Sequence, residues 1–168
     1  LSDSNKKSRT EAAADPAVPE RVNLGCGFGR LDGFCNVDSR PETKPDLVLD
    51  VTEGLPWPDS SVQEVRAHDF LEHVPADKVP FVIDEIWRVL APGGVLDHFT
   101  PSTDGRGAFQ DPYHRSFWNI RSWLYWMDDT YRGLYGHRAK FEGSNEDKFT
   151  YEPDRVIHTE GRLRAVKD

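Results

Sequence analysis

Five short apolar runs punctuate the chain, at Val22–Leu24, Cys35–Val37, Leu47–Leu49, Val65–Ala67 and Val95–Phe99, with Gly, Pro, Asp and Ser between them. Runs of this length bounded by turn residues predict strands. One segment has a different period. Val79, Val82, Ile83, Ile86 and Leu90 recur at spacings of three and four and share one face of a helix. That helix is expected from about Asp77 to Leu90, with Asp77 as N-cap, Pro80 in its tolerant first turn and Pro92-Gly93-Gly94 as its stop. Strands interleaved with a helix predict an α/β fold. Lys140-Phe141, Arg155-Val156-Ile157 and Leu163–Val166 read as short terminal strands.

Only ten residues separate Leu24 from Cys35, close to the minimum for a crossover between parallel strands. The first crossover helix is therefore nearly absent, and one face of the sheet is expected to be thinly covered. Two remedies suggest themselves: the aromatic segment Phe109–Tyr135 folds back over that face, or a second copy of the chain covers it. Within the aromatic segment, Trp123, Leu124, Trp126 and Met127 fit one buried helix face, so core and lid packing is favoured over an aromatic acceptor box.

A chain of 168 residues holds one ordinary domain. Residues Leu1–Glu20 are rich in Ser, Lys, Glu, Ala and Pro and read as a flexible tail, leaving 21–168 as a single domain. With 37% hydrophobic and 30% charged residues the composition is that of a soluble protein, no apolar run approaches bilayer length, and the first residues lack the apolar stretch of a secretory signal. A cytoplasmic location is the default expectation. The two cysteines, Cys26 and Cys35, do not make a disulfide framework. A net charge of −8 argues against a protein that grips duplex nucleic acid by its phosphates. Arg115, Arg121, Arg132, Arg138 and Lys140 form a local basic group, read first as a solvated face.

The chemistry is concentrated where the first strand ends. Arg21-Val22-Asn23-Leu24 runs into Gly25, Gly27 and Gly29, which permit positive φ and close ligand approach. The second run ends in Asp38, placed to meet the hydroxyls of a ribose. A dinucleotide would need a helix directly after the glycines to receive its pyrophosphate. Here five residues, Arg30–Phe34, separate Gly29 from Cys35, and the third glycine of G-x-G-x-x-G is replaced by Arg30. A nucleoside cofactor without phosphates fits better than NAD.

These features, in order, resemble a known family. Asn23–Gly27, Val37-Asp38, Asp46–Val51, Leu55–Val62, His68–Val74 and Glu85–Gly94 are similar to the successive signatures of class I S-adenosylmethionine (SAM) dependent methyltransferases, over roughly residues 21 to 101. The shortened first crossover resembles the compact bacterial and phage type, as does the run Phe109–Trp118. The resemblance implies a Rossmann-like, mostly parallel sheet closed by a terminal antiparallel hairpin, with SAM as cofactor. It further implies that Asn23, Gly25, Cys26 and Gly27 lie against the methionine part, that Asp38 receives the ribose hydroxyls, that Asp50 and Val51 face the adenine, and that His68 and Asp69 flank the sulfonium. Asp at a strand end also caps turns, and for Asp38 and Asp50 that reading stays beside the ligand one. In one departure from the family, strand five reads Val95-Leu96-Asp97-His98-Phe99-Thr100, with polar residues where relatives are apolar.

Methyl transfer from a sulfonium asks chiefly for alignment of acceptor, methyl and sulfur. A base is needed only when the acceptor keeps its proton near neutral pH, as a hydroxyl does. His73, Asp111 and His114 are the candidates, with His114 favoured and Asp111 as the group that orients it. His68, Asp69, His73, His98 and His114 could converge on a metal, but neither H-E-x-x-H nor paired C-x-x-C spacing occurs, so the sequence requires none. The expected acceptor is a small molecule or a glycan-linked intermediate. The alternative is a subunit that binds SAM or a partner without turnover inside a larger modifying complex. A nucleic acid amino-methylating enzyme would carry an Asn/Asp-Pro-Pro-aromatic run where this chain has His68-Asp69-Phe70-Leu71.

Overall fold

The computed structural model describes residues 17–151 and 156–167, so the tail expected over residues 1–20 lies mostly outside the described residues. Eight strands form one sheet: β1 (Arg21–Leu24), β2 (Cys35–Asp38), β3 (Leu47–Val48), β4 (Val62–His68), β5 (Leu90–Pro101), β6 (Phe141–Glu142), β7 (Asn145–Tyr151) and β8 (Val156–Ala165). The order is β3-β2-β1-β4-β5-β8-β6, with β7 also on β8. Strands β1 to β5 pair in parallel, whereas β8 runs antiparallel to β5, β6 and β7. The α/β fold with a mostly parallel sheet and a terminal antiparallel hairpin is as expected. Chain direction from β1 splits between β2 and β4, and in open α/β sheets ligands bind beyond the strand ends at such a switch.

Strand parity sorts the side chains into two unlike faces. Val22, Leu24, Val37, Val65, Ala67, Leu96 and Leu163 point to one side and are fully buried. Helix α1 (Val79–Val89) sets Val79, Val82, Ile83 and Ile86 against that side, joining the same core. Beside α1 lie the aromatic residues, with Trp118, Trp123 and Trp126 buried and the Trp123 ring 4.3 Å from, and tilted 34° to, that of His98, which shares this face. The backbone amide of Ala139 donates to Asp84 of α1 at 2.8 Å, fastening the end of the segment.

The opposite face is polar over its centre, with Val48 at the edge and Phe99 among the exceptions. Arg21 pairs with Glu64 at 2.9 Å, Arg162 bridges Glu64 and Asp97 at 3.1 and 2.9 Å, and Asp97 holds His68 at 2.9 Å. Arg66 reaches both His68 and Asn23. Asp97 of strand five is thus one rung of a cross-strand ladder, and a face of this kind is stable in water without a helix over it. The aromatic segment does not fold over the thinly covered face as expected; it packs beside α1 on the other.

Local details also depart from expectation. Asp77 does not cap α1: the helix begins at Val79 behind Lys78, which makes no side-chain cap, and Pro80 occupies its first turn. Leu90 turns straight into extended backbone (φ −61°, ψ 137°), so the chain is already in β5 before Pro92-Gly93-Gly94, which forms an irregularity in the β4–β5 register. No helix lies between β1 and β2. Strand β7 was not foreseen, and β8 is a single ten-residue strand. The expected helix at Trp123–Met127 is a 3-10 turn at Ile120–Trp123 followed by a short α-helix at Leu124–Met127. Among the described residues no helix is long and apolar enough to cross a membrane.

Candidate functional site

A cavity opens at the carboxyl ends of β1, β2 and β3. Gly25 forms its floor at φ +62°, and a Cβ there would collide with the Phe70 ring, so only glycine lets the loop and that ring lie together. Gly27, at φ +49°, donates its amide to Asp38 Oδ2 at 2.8 Å, and Cys26 donates its amide to the Val37 carbonyl at 3.0 Å. The segment 30–34 is held by side chains rather than by a helix. Asn36 accepts from the Leu31 amide and donates to the Leu31 and Phe34 carbonyls, and Asp46 receives the Asn36 amide and the Arg30 guanidinium. These bonds hold the Asp46 carboxyl down at about 2. Sequence reading missed this Asn36–Asp46 clasp; its one trace was two carboxamide or carboxylate residues inside otherwise apolar runs.

Asp38 is buried, and its carboxylate accepts from the Gly27 amide, the Arg40 amide at 2.9 Å and Arg40 Nε at 3.1 Å. Burial alone would raise its pKa; the bonds from Arg40 and Gly27 outweigh that and keep it below the ordinary value. Two of the donors are fixed backbone, whereas the Arg40 side chain is 58% exposed. A carboxylate has about four acceptor sites, so ligand hydroxyls can take the place of the guanidinium without disturbing the loop. Asp50 accepts from the Thr52 amide and hydroxyl at 3.0 and 2.7 Å, which lowers its pKa and caps the 3-10 turn at Val51–Glu53. Its capping role is thus real, and its position on the cavity wall beside Val51 and Leu49 is equally so.

Phe70, His73, Val74 and Arg115 form the other wall. His73 ends a 3-10 turn at Leu71–His73, ahead of α1 and not at its start. The turn is stitched to the segment after β5 by the Arg115 and Ser116 amides, which both donate to the Glu72 carbonyl, at 2.7 and 3.0 Å. This brings His114 against His73, ring centroids 5.1 Å apart and edge-on. Ring nitrogen Nδ1 of His114 donates to the Ala108 carbonyl at 2.9 Å, so its hydrogen sits there and Nε2 carries the lone pair. Asp111 lies 3.8 Å from Nε2, beyond hydrogen-bond reach; Ala108, not Asp111, orients the imidazole. Between them lies a residue missed from the sequence: Glu72 is 2% exposed, and burial, with Asp69 and Asp111 nearby, pushes its carboxyl up to about 8.

Not every expected site residue reaches this cavity. Parity places His68 on the polar face, bonded to Asp97 and Arg66 and lining a separate groove there. Asn23 is on the same face and serves the loop, donating to Asn36 at 3.1 Å and to the Gly29 carbonyl. Asp69 turns at φ +46° and its carboxylate faces His158 at 3.2 Å. Cys26 is buried, which raises its thiol pKa. Of the five residues considered for a metal, only His73 and His114 come together.

Residues 22–96 match the family model described as a methyltransferase domain, a span that includes β1 through the central part of β5 and most of the cavity. That match and the α/β sheet described above agree on a methyltransferase-type fold. Solved structures agree in fold. A SAM-dependent methyltransferase of Methanosarcina mazei is 14% identical, with 92% of this chain and 96% of that one covered and a TM-score of 0.62. A Haloferax volcanii putative methyltransferase, solved in complex with the Trm112 methyltransferase activator, is 17% identical over 90% and 85% of the two chains, with TM-score 0.62. Burkholderia thailandensis 1,6-didemethyltoxoflavin-N1-methyltransferase, with its substrate and S-adenosylhomocysteine bound, is 15% identical over 89% and 72%, with TM-score 0.57. Comparison with curated proteins finds no match.

Proposed function

We propose that the chain is a SAM-dependent methyltransferase acting on a small-molecule or glycan-linked acceptor that enters between Arg115 and the His73–His114 pair. The observation that carries the reading is the shape of one cavity: Asp38, Asp50 and Val51 line one wall, His73 and Arg115 the other. In this reading Asp38 binds the ribose in exchange for Arg40, Asp50 and Val51 face the adenine edge, and Gly25 to Gly27 approach the methionine part. SAM supplies an activated methyl group. The chain contributes alignment, and the imidazoles of His73 and His114 stand where an acceptor proton leaves, with Asp111 as a charge beside them. Asn23 and Cys26 act through the loop, and His68 and Asp69 have no direct part. The B. thailandensis neighbour is an N1-methyltransferase with 1,6-didemethyltoxoflavin bound, a precedent for a small-molecule acceptor on this fold.

The test is a screen of small phenols, heteroaromatics and sugar-linked compounds with methyl-labelled SAM. Label transfer that His114→Ala slows while S-adenosylhomocysteine still binds supports the reading. Binding without transfer to any acceptor, restored by a co-purifying protein, would instead favour a subunit of a larger complex.

A further inference from the structure

Glu72, His73 and His114 each present one ligand atom such that all lie within 4.8 Å of one another. Donors around an ion bound at about 2.1 Å are separated by roughly 3.4–4.2 Å, so a small side-chain adjustment closes the set. We propose that these three residues form a divalent transition-metal site at the acceptor end of the cofactor cavity.

Three independent features support it. The first is tautomer: His114 gives its Nδ1 hydrogen to the Ala108 carbonyl, the arrangement that leaves Nε2 free as a ligand and fixes the ring. The second is the carboxylate. Glu72 is 2% exposed, and no described side chain or backbone group bonds its Oε2. Burying an oxygen without a partner destabilises the fold, and a cation would remove that cost. The third is scaffold: the Arg115 and Ser116 amides on the Glu72 carbonyl, with the Ser116 hydroxyl donating to the Leu71 carbonyl at 2.7 Å, lock the two ligand segments together before any ion arrives.

Two imidazoles and one carboxylate suit Zn²⁺, Fe²⁺, Co²⁺ or Mn²⁺ better than Mg²⁺ or Ca²⁺, which prefer all-oxygen shells. Three protein ligands leave positions open. His73 lines the cofactor cavity, so those positions face the place assigned above to the acceptor. Resting on that functional reading for the acceptor's place alone, the site takes acceptors with an oxygen donor: with their lone pairs on the ion the two imidazoles no longer accept the proton, which leaves to water from the metal-bound hydroxyl, and the small-molecule assignment narrows to hydroxyl or phenol substrates.

Cobalt titration of the full chain, stripped with chelator, tests the site by visible absorption. One saturable Co²⁺ per chain is expected, displaced by Zn²⁺, with affinity falling at least tenfold in both Glu72→Gln and His114→Ala and unchanged in His68→Gln. Binding of S-adenosylhomocysteine, measured on the same samples, shows that each variant is folded and reports on the cofactor reading separately. Absence of saturable cobalt binding, or binding that survives either ligand substitution, overturns the metal site even where the cofactor still binds.

Discussion

The two faces of the sheet use the same strands and opposite chemistry. On one, Leu24, Val65 and Leu96 are fully buried beneath α1 and three tryptophans; on the other, Arg66, Asp97 and Arg162 join a network of ion pairs and hydrogen bonds that reaches water. The first face holds the domain together through apolar burial. The second shows how a chain with no first crossover helix avoids presenting an apolar sheet: it gives the bare surface charges of alternating sign, each pair contributing little stability but removing the need for cover.

The sharpest way to break this comparison is to exchange residues one position apart. Leu96→Asp places an unpaired carboxylate in the core and is expected to cost about 4 kcal/mol or more, whereas Asp97→Leu costs about 1 kcal/mol, both read from urea midpoints. Equal losses would mean that both faces are core.

A titration of stability separates the faces next. His98, on the covered side, is fully buried, with its pKa lowered to about 4 chiefly by burial. Its ordinary value is near 6.5, so between pH 6.5 and 4 the unfolded chain binds a proton that the folded chain refuses. The contribution is present above pH 6.5 and is lost as pH falls toward 4, on the order of 2–3 kcal/mol, and His98→Gln should flatten that part of the profile.

A smaller effect is expected at Arg162, which is 60% exposed on the polar face although it bridges two carboxylates. Arg162→Ala should lower stability by no more than about 1 kcal/mol, and less in 1 M salt. Smallest of all is the expected response to concentration. The polar face needs no second copy, so sedimentation should give a monomer at micromolar protein; a dimer that Arg162→Ala dissociates would show that this face is an interface after all.

Much of the architecture was legible because apolar runs and helical periodicity are local signals: the parallel strands around Val22, Val37 and Val65 and helix α1 follow from them. The cavity at the strand ends was legible for the same reason, since Gly25, Asp38 and Asp50 mark those ends. What escaped depends on parity and on distant segments meeting. His68 was read by its position in a motif, yet as the last residue of a strand that carries Glu64 and Arg66 it had to share their face. Asp97 looked like a flaw in strand five until Arg162, 65 residues later, came alongside. Glu72 gives no periodic signal at all; only the docking of residues 114–116 on its carbonyl buries it between two histidines.

Calorimetric titration of S-adenosylhomocysteine into the wild-type chain, Asp38→Ala and Asp97→Ala tests the central claim, that the cofactor sits at the ends of β1 to β3 and not on the polar face. Micromolar binding that disappears with Asp38→Ala and stays within about threefold with Asp97→Ala is the predicted result. Binding that persists without the Asp38 carboxylate, or that is lost with Asp97, would contradict it.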